Sequence, residues 1–186
     1  MTGKIRIISG QWRGRKIPVV DRPGLRPTGD RARETLFNWI GPKIVGAKVV
    51  DLFAGSGALG LEAASRGGGS VVLIEHDRIA ARALRDGPLA WPGAERVSLV
   101  EVDALKWLSE ADQKIDLMLI DPPFGSNLLS EVLAVLAQQA DCLSEGGMVY
   151  LECAPEQVPR DWPNHLAIWK NKRVGQVVMT LLKRCV

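Results

Sequence analysis

The regular alternation of short apolar runs with helical patterns between residues 48 and 152 constrains this chain most. KVVDLF (48–53), SVVLIE (70–75), residues 96–102, IDLMLI (115–120) and MVYLE (148–152) read as strands. Residues 59–66, 77–86, 105–110 and 128–140 read as the helices between them. Strands that are apolar almost continuously are buried on both faces, and strand–helix repetition makes parallel βαβ units. The expected architecture is therefore a Rossmann-like α/β fold with a mostly parallel sheet. Two further strands, near 166–169 and 176–182, pair as a hairpin across 171–175 and bring one antiparallel strand into that sheet.

The first 40 residues follow another pattern. Residues 4–9 and 15–20 read as two short strands around a glycine-rich turn at 10–14, a small β-hairpin. Residues 23–27 are loop. Thr28 is a candidate N-cap, Asp30 lies in the first turn, and Ala32, Leu36, Trp39 and Ile40 recur at helical spacing up to Gly41-Pro42. The expected division is an arm at 1–27 and an α/β domain at 28–186. A length of 186 residues with 46% hydrophobic content suits one ordinary domain with a small appendage.

Composition excludes several classes. No uncharged apolar run reaches the length of about 18 residues needed to span a bilayer. The first residues lack the apolar core of a secretory signal. Cys142, Cys153 and Cys185 are odd in number and widely spaced, and only His76 and His165 accompany them. Neither a disulfide scaffold nor a metal site is expected, and the natural compartment is the reducing cytoplasm. The charge is uneven. Residues 1–43 hold ten basic and three acidic side chains, a net +7, so the whole-chain +3 leaves the remainder at −4. Such a basic arm is either a phosphate-backbone contact surface or an ordinary solvated face. Trp12 and Trp91 are exposed contacts or core.

Asp51-Leu-Phe-Ala-Gly55-Ser-Gly57-Ala-Leu-Gly60 joins a strand to a helix and fits GxGxxG. Glycines let a backbone turn tightly against a ligand, and the helix start favours negative charge. Two ligands compete for such a loop. A dinucleotide would set its pyrophosphate over the helix start. S-adenosyl-L-methionine (SAM) would instead lay its methionine part on the loop, with its ammonium on the carboxylate of Asp51. Glu75, at the end of the next strand, suits the ribose hydroxyls of either ligand. Asp103, after the third, suits an adenine amino group, a helix N-cap, or both. Together the three acids fall at one edge of the sheet, where ligands of open α/β folds bind.

Asp121-Pro122-Pro123-Phe124 ends the fourth strand. Two prolines cannot continue a central strand, and they stiffen a loop. The segment fixes a carboxylate, a carbonyl and an aromatic ring relative to one another. Methylation of an exocyclic base amine needs these groups. The amine's lone pair is delocalised into the ring, two acceptors draw its protons aside, and the aromatic side chain stacks on the base. The competing reading is a rigid connection with Phe124 in the core.

Together these residues resemble the class I SAM-dependent methyltransferases of amino nitrogens, DLFAGSGALG matching their cofactor loop and DPPF their catalytic motif. The arm narrows the resemblance: RIISGQWRGRKI and LRPTGDRARETLFNWI resemble the bacterial RsmD-type family, which methylates N2 of guanine 966 in 16S ribosomal RNA. The resemblance implies a seven-stranded sheet with an antiparallel last strand, SAM as methyl donor, and the small ribosomal subunit or its assembly precursor as partner. It implies that Asp51, Phe53, Gly55, Ser56, Gly57, Glu75, Asp103 and Ala104 bind SAM, and that Asp121, Pro122, Pro123 and Phe124 hold the guanine amine. Arg6, Arg13, Arg15 and Lys16 would contact RNA. Arg26, Thr28, Arg31 and Arg33 would line the RNA side or brace the catalytic loop, with an Arg33–Glu34 ion pair as the structural alternative. The enzyme is expected to act as a monomer, without metal or membrane. Three other readings stay open: a DNA adenine-N6 methyltransferase, an NAD-dependent oxidoreductase, and a non-catalytic RNA-binding assembly factor.

Overall fold

The computed structural model describes residues 3–19 and 29–185. Seven strands form one sheet: β3 (Lys48–Asp51), β4 (Ser70–Ile74), β5 (Val97–Val100), β6 (Ile115–Ile120), β7 (Leu143–Cys153), β8 (Leu166–Val174) and β9 (Val177–Arg184). Their spatial order is β5-β4-β3-β6-β7-β9-β8. All neighbouring pairs from β5 to β7 are parallel, and β9 enters antiparallel between β7 and β8. The expected seven-stranded sheet with one antiparallel strand is thus present. The last two strands are longer than their alternation suggested, because exposed Lys170, Lys172 and Arg173 still pair along the edge strand β8.

Helices cover both faces. On one side lie α1 (Asp30–Ile40), α2 (Ala58–Ser65) and α3 (Arg78–Asp86), whose Leu36, Leu61 and Leu84 share a core with Val49, Leu117 and Tyr150 of the sheet. On the other lie α4 (Ala104–Ser109) and α5 (Leu128–Gln138), packing Leu108 and Val132 against Val50, Met118 and Val149. The i, i+2 alternation along each strand sorts these residues to opposite faces. Two helix starts are capped as their acids suggest. Asp77 accepts the Ile79 and Ala80 amides at 2.9 Å, and Asp103 accepts that of Lys106 at 3.0 Å. Each such cap stabilises by about 1 kcal/mol. For α1 the cap is Gly29, without a side-chain bond, rather than Thr28, which lies outside the described residues, as does Arg26. Asp30 in its first turn still answers the helix dipole.

The arm is a hairpin of β1 (Lys4–Arg6) and β2 (Lys16–Pro18), paired antiparallel with Ile5 opposite Ile17. It is fastened to the α/β domain. Ile7, Trp12 and Ile17 are fully buried in the same core as α1 and α2. Gly10 has φ +83°, and a Cβ there would lie 1.8 Å from the Ser65 carbonyl oxygen, so the turn sits directly on the end of α2. Trp12 is core, edge-on to Trp91 at 5.6 Å, and its indole N–H donates to the Pro92 carbonyl.

A buried ionic cluster completes the attachment and corrects one expectation. Arg33 is not on an RNA-facing surface: its side chain is wholly buried. It donates to Asp30 at 2.6 Å and to the Arg6 carbonyl at 2.9 Å, and lies 3.6 Å from Glu62. Glu62 and Asp30, not Glu34, are its ion partners. Glu62, equally buried, accepts the Ile8 and Ser9 amides of the arm at 2.8 and 3.0 Å and is bridged by Arg66 at 2.6 Å. Arg6, Arg13, Arg15, Lys16 and Arg31 remain exposed.

Candidate active site

From β3 the chain proceeds to β4 and β5 on one side of the sheet, then crosses to β6 and β7 on the other. The reversal opens a crevice at the carboxyl ends of β3 and β6, the standard ligand position of such sheets. Asp51 ends β3 opposite Leu119 of β6, so Asp121, two residues on, stands across that crevice. Glu75 follows β4, and Asp103 follows β5. All four acids expected at this edge are there.

The glycine loop is shaped by Asp51 and Glu75. Gly55 and Gly57 both have positive φ, +53° and +77°. Gly60 brings α2 against β3: a Cβ there would lie 2.3 Å from Leu73 and 3.1 Å from Asp51. The Gly60 amide donates to Asp51 Oδ2 at 2.9 Å. Glu75 binds the Gly55 amide through Oε2 at 2.8 Å and that of Asp77 through Oε1 at 2.7 Å, so one carboxylate ties the loop to the start of α3. Phe53 and Ser56 are half-buried in this loop, and Ala104 is buried beneath the edge at the start of α4.

Asp51 is 1% exposed, and its Oδ1 has no partner at hydrogen-bonding geometry among the described residues. Burial raises its pKa from 3.8 to about 7. The Gly60 amide opposes this, the Asp121 and Glu75 charges add to it, and the Phe53 amide opposes it weakly. A buried carboxyl oxygen without a donor, in a field of other carboxylates, is a site for a cation. Its chemistry fits an ammonium group; a pyrophosphate would add negative charge to it.

In the DPPF segment Asp121 is half-buried, Pro122 buried, and Pro123 and Phe124 exposed. Phe124 therefore does not enter the core. The turn is closed by Ser126, whose amide and hydroxyl both bond the Pro123 carbonyl, at 3.3 and 2.7 Å. Gln157 donates to the Ser126 carbonyl at 3.3 Å and links this turn to the segment after β7.

Two further residues join the site without having been singled out. Tyr150 and Glu152 lie on β7, are buried, and bond hydroxyl to Oε2 at 2.8 Å. Burial and then the Asp121 charge push Glu152 up to about 7 from 4.5, opposed by the Tyr150 bond. Tyr150 is pushed well above its usual value, mainly by burial and then by Glu152, and stays protonated. Their signal was present: Glu152 ends an apolar strand as Asp51 and Glu75 do.

Residues 5–183 match the family model described as Conserved hypothetical protein 95. The chain is 44% identical over 187 residues to ribosomal RNA small subunit methyltransferase D of Escherichia coli strain K12, covering 98% of this chain and 91% of that protein. To the protein of the same description in Haemophilus influenzae it is 36% identical, covering 94% and 91%. Among solved structures, a putative methyltransferase yhhF from Escherichia coli superposes with a TM-score of 0.85 at 43% identity, covering 98% of each chain. Sequence, fold and near-complete coverage agree, and the chain belongs to the RsmD family of ribosomal RNA methyltransferases.

Proposed function

We propose that this protein transfers a methyl group from SAM to the N2 amine of a guanine in the 16S ribosomal RNA of the small ribosomal subunit, in the cytoplasm. The observation that carries the reading is the pair of carboxylates, Asp51 and Asp121, facing across the switch point beside an exposed Phe124. The relatives' descriptions supply the ribosomal RNA.

Asp51 Oδ1 would receive the ammonium of the methionine part, and the Gly55–Gly57 backbone would lie against it. Glu75 would accept the ribose hydroxyls with the lone pairs its two amide bonds leave. Asp103, with Oδ1 on the Lys106 amide, would meet the adenine amino group through its other oxygen. When bound, SAM supplies an electrophilic sulfonium methyl.

Phe124 stacks on the extruded base and holds it flat. The Asp121 carboxylate and the Pro122 carbonyl each accept one N–H of the amine, which turns its lone pair toward the methyl. A C–N bond forms as the S–C bond breaks, and the proton then lost from nitrogen passes to Asp121 and on to solvent. The protein's contribution is mainly proximity and in-line orientation. Arg6, Arg13, Arg15, Lys16 and Arg31 form the exposed basic surface that meets RNA phosphates, and residues 1–27 serve as the RNA-contact arm of the domain at 28–186.

Asp121→Ala tests the role of DPPF. Methyl transfer to small ribosomal subunits should fall at least a thousandfold while calorimetric SAM affinity stays within about threefold. Turnover at the wild-type rate would remove Asp121 from the reaction.

A further inference from the structure

Beside Phe124 lies a cavity of about 310 Å³. Its walls are Phe124, the Ala154–Glu156 segment after β7, and Arg173 and Gln176 at the β8–β9 turn. Topology explains why these meet. β9 runs antiparallel to β7 with Val178 opposite Cys153, so the β8–β9 turn returns to the same sheet edge as the DPPF segment. The volume is at the lower end of the range of roughly 300–1,000 Å³ for small-ligand sites, suited to something the size of one base. Its lining combines the Phe124 ring, Ala154, Pro155 and Val177 with three polar side chains, Glu156, Arg173 and Gln176, so an apolar face is offered together with a guanidinium and a carboxylate.

We infer that this cavity seats the target base and that Arg173 reads the O6/N7 edge of guanine, which makes Arg173 a specificity-determining residue. The inference rests on the proposed guanine methylation and deepens it. The complementarity follows from the base. Guanine carries two acceptors, O6 and N7, on one edge, and the N1–H donor and the N2 amine on the other. Arginine meets O6 and N7 with a bidentate fork, the commonest specific contact to guanine. Arg173 Nε donates to the Gly175 carbonyl at 3.2 Å, which anchors the guanidinium at the turn and leaves its two terminal nitrogens to form the fork. With N2 at Asp121, N1–H needs an acceptor, and Glu156 is the carboxylate in the lining. Adenine keeps N7 but replaces the O6 acceptor with an N6 amine donor facing Arg173, and it would turn an N1 acceptor toward Glu156. The cavity therefore selects guanine over adenine by donor and acceptor placement, whereas the Phe124 ring stacks on either base.

The test is an atomic double-mutant cycle. Small subunits are reconstituted with guanine or 7-deazaguanine at the methylated position and offered to the wild-type enzyme and to Arg173→Met. Arg173 is exposed, so the variant should fold and bind SAM with unchanged affinity by calorimetry. Arg173→Met should lower kcat/KM on guanine by roughly 10- to 100-fold. Loss of N7 should lower the wild-type value roughly tenfold and leave the variant's value unchanged. Wild-type kcat/KM in Arg173→Met, or losses that multiply independently, would overturn the inference while leaving guanine methylation standing. Absence of transfer by the wild-type enzyme to the guanine subunits would overturn the proposed function itself, and the inference with it.

Discussion

Replacing Asp51 by Asn separates what this carboxylate does for the fold from what it does for the ligand. Its pKa is about 7 in the folded chain and 3.8 as a free side chain. Between those values the native state keeps a proton that the unfolded chain has released. Stability therefore falls as pH rises across that window. At about 1.4 kcal/mol per unit, a displacement of roughly three units amounts to about 4 kcal/mol above pH 7. Asn keeps a carbonyl oxygen for the Gly60 amide and never ionises. Asp51→Asn should thus raise stability by up to about 4 kcal/mol at pH 8, or roughly 8–16 °C in Tm for a chain of this length. At pH 4 its Tm should match the wild type within about 2 °C. Its SAM affinity should fall roughly 10- to 100-fold, because a charge-assisted bond to the ammonium is gone. Wild-type SAM affinity should itself weaken about tenfold per pH unit below 7. Melting curves from pH 4 to 8 and calorimetric SAM titrations check all of this. Equal destabilisation at pH 4 and pH 8, or wild-type SAM affinity in the variant, would refute the reasoning.

Three other outcomes follow from the same physics. Arg33→Met leaves Glu62 buried with Arg66 alone and should destabilise by about 3 kcal/mol, seen as a Tm lowered by roughly 6–12 °C; adding Glu62→Gln should recover part of the loss. Glu152→Gln removes a buried carboxyl of raised pKa, so the variant should melt higher than wild type at pH 8 and alike at pH 4 in the same scans. Neutralising exposed Arg6, Arg13 and Lys16 to Gln should weaken binding to 16S RNA and make the log–log salt slope shallower by about 2–3, with melting unchanged. Substitution is the right test here, since deleting the hairpin would strip Ile7, Trp12 and Ile17 from the core.

What was legible in the sequence is what local pattern encodes. Strand β6 spans the six residues its apolar run marked, and Asp51, Glu75, Asp103 and Asp121 reach one edge because each follows a parallel strand. Arg33 was misread for a physical reason. In a run with a net charge of +7 a buried arginine looks like its exposed neighbours, and Glu62, which neutralises it, is 29 positions away on another helix. Trp12 left both readings open for the same reason: whether an aromatic is core or contact depends on what lies opposite, here Trp91 and Pro92. The cavity at Arg173 was not legible because its walls come from segments far apart in the sequence, Phe124, residues 154–156 and the β8–β9 turn, which meet only once β9 lies between β7 and β8.

The proposed reaction is tested most directly by offering labelled methyl, as SAM, with the enzyme to unmodified small ribosomal subunits, free 16S RNA and duplex DNA, and mapping the product base. Label is expected in N2-methylguanine at a single site of the ribosomal RNA and not in DNA. Label in N6-methyladenine, or in DNA, would keep the DPPF chemistry but contradict the substrate. No label in any substrate, with SAM bound, would contradict the central claim.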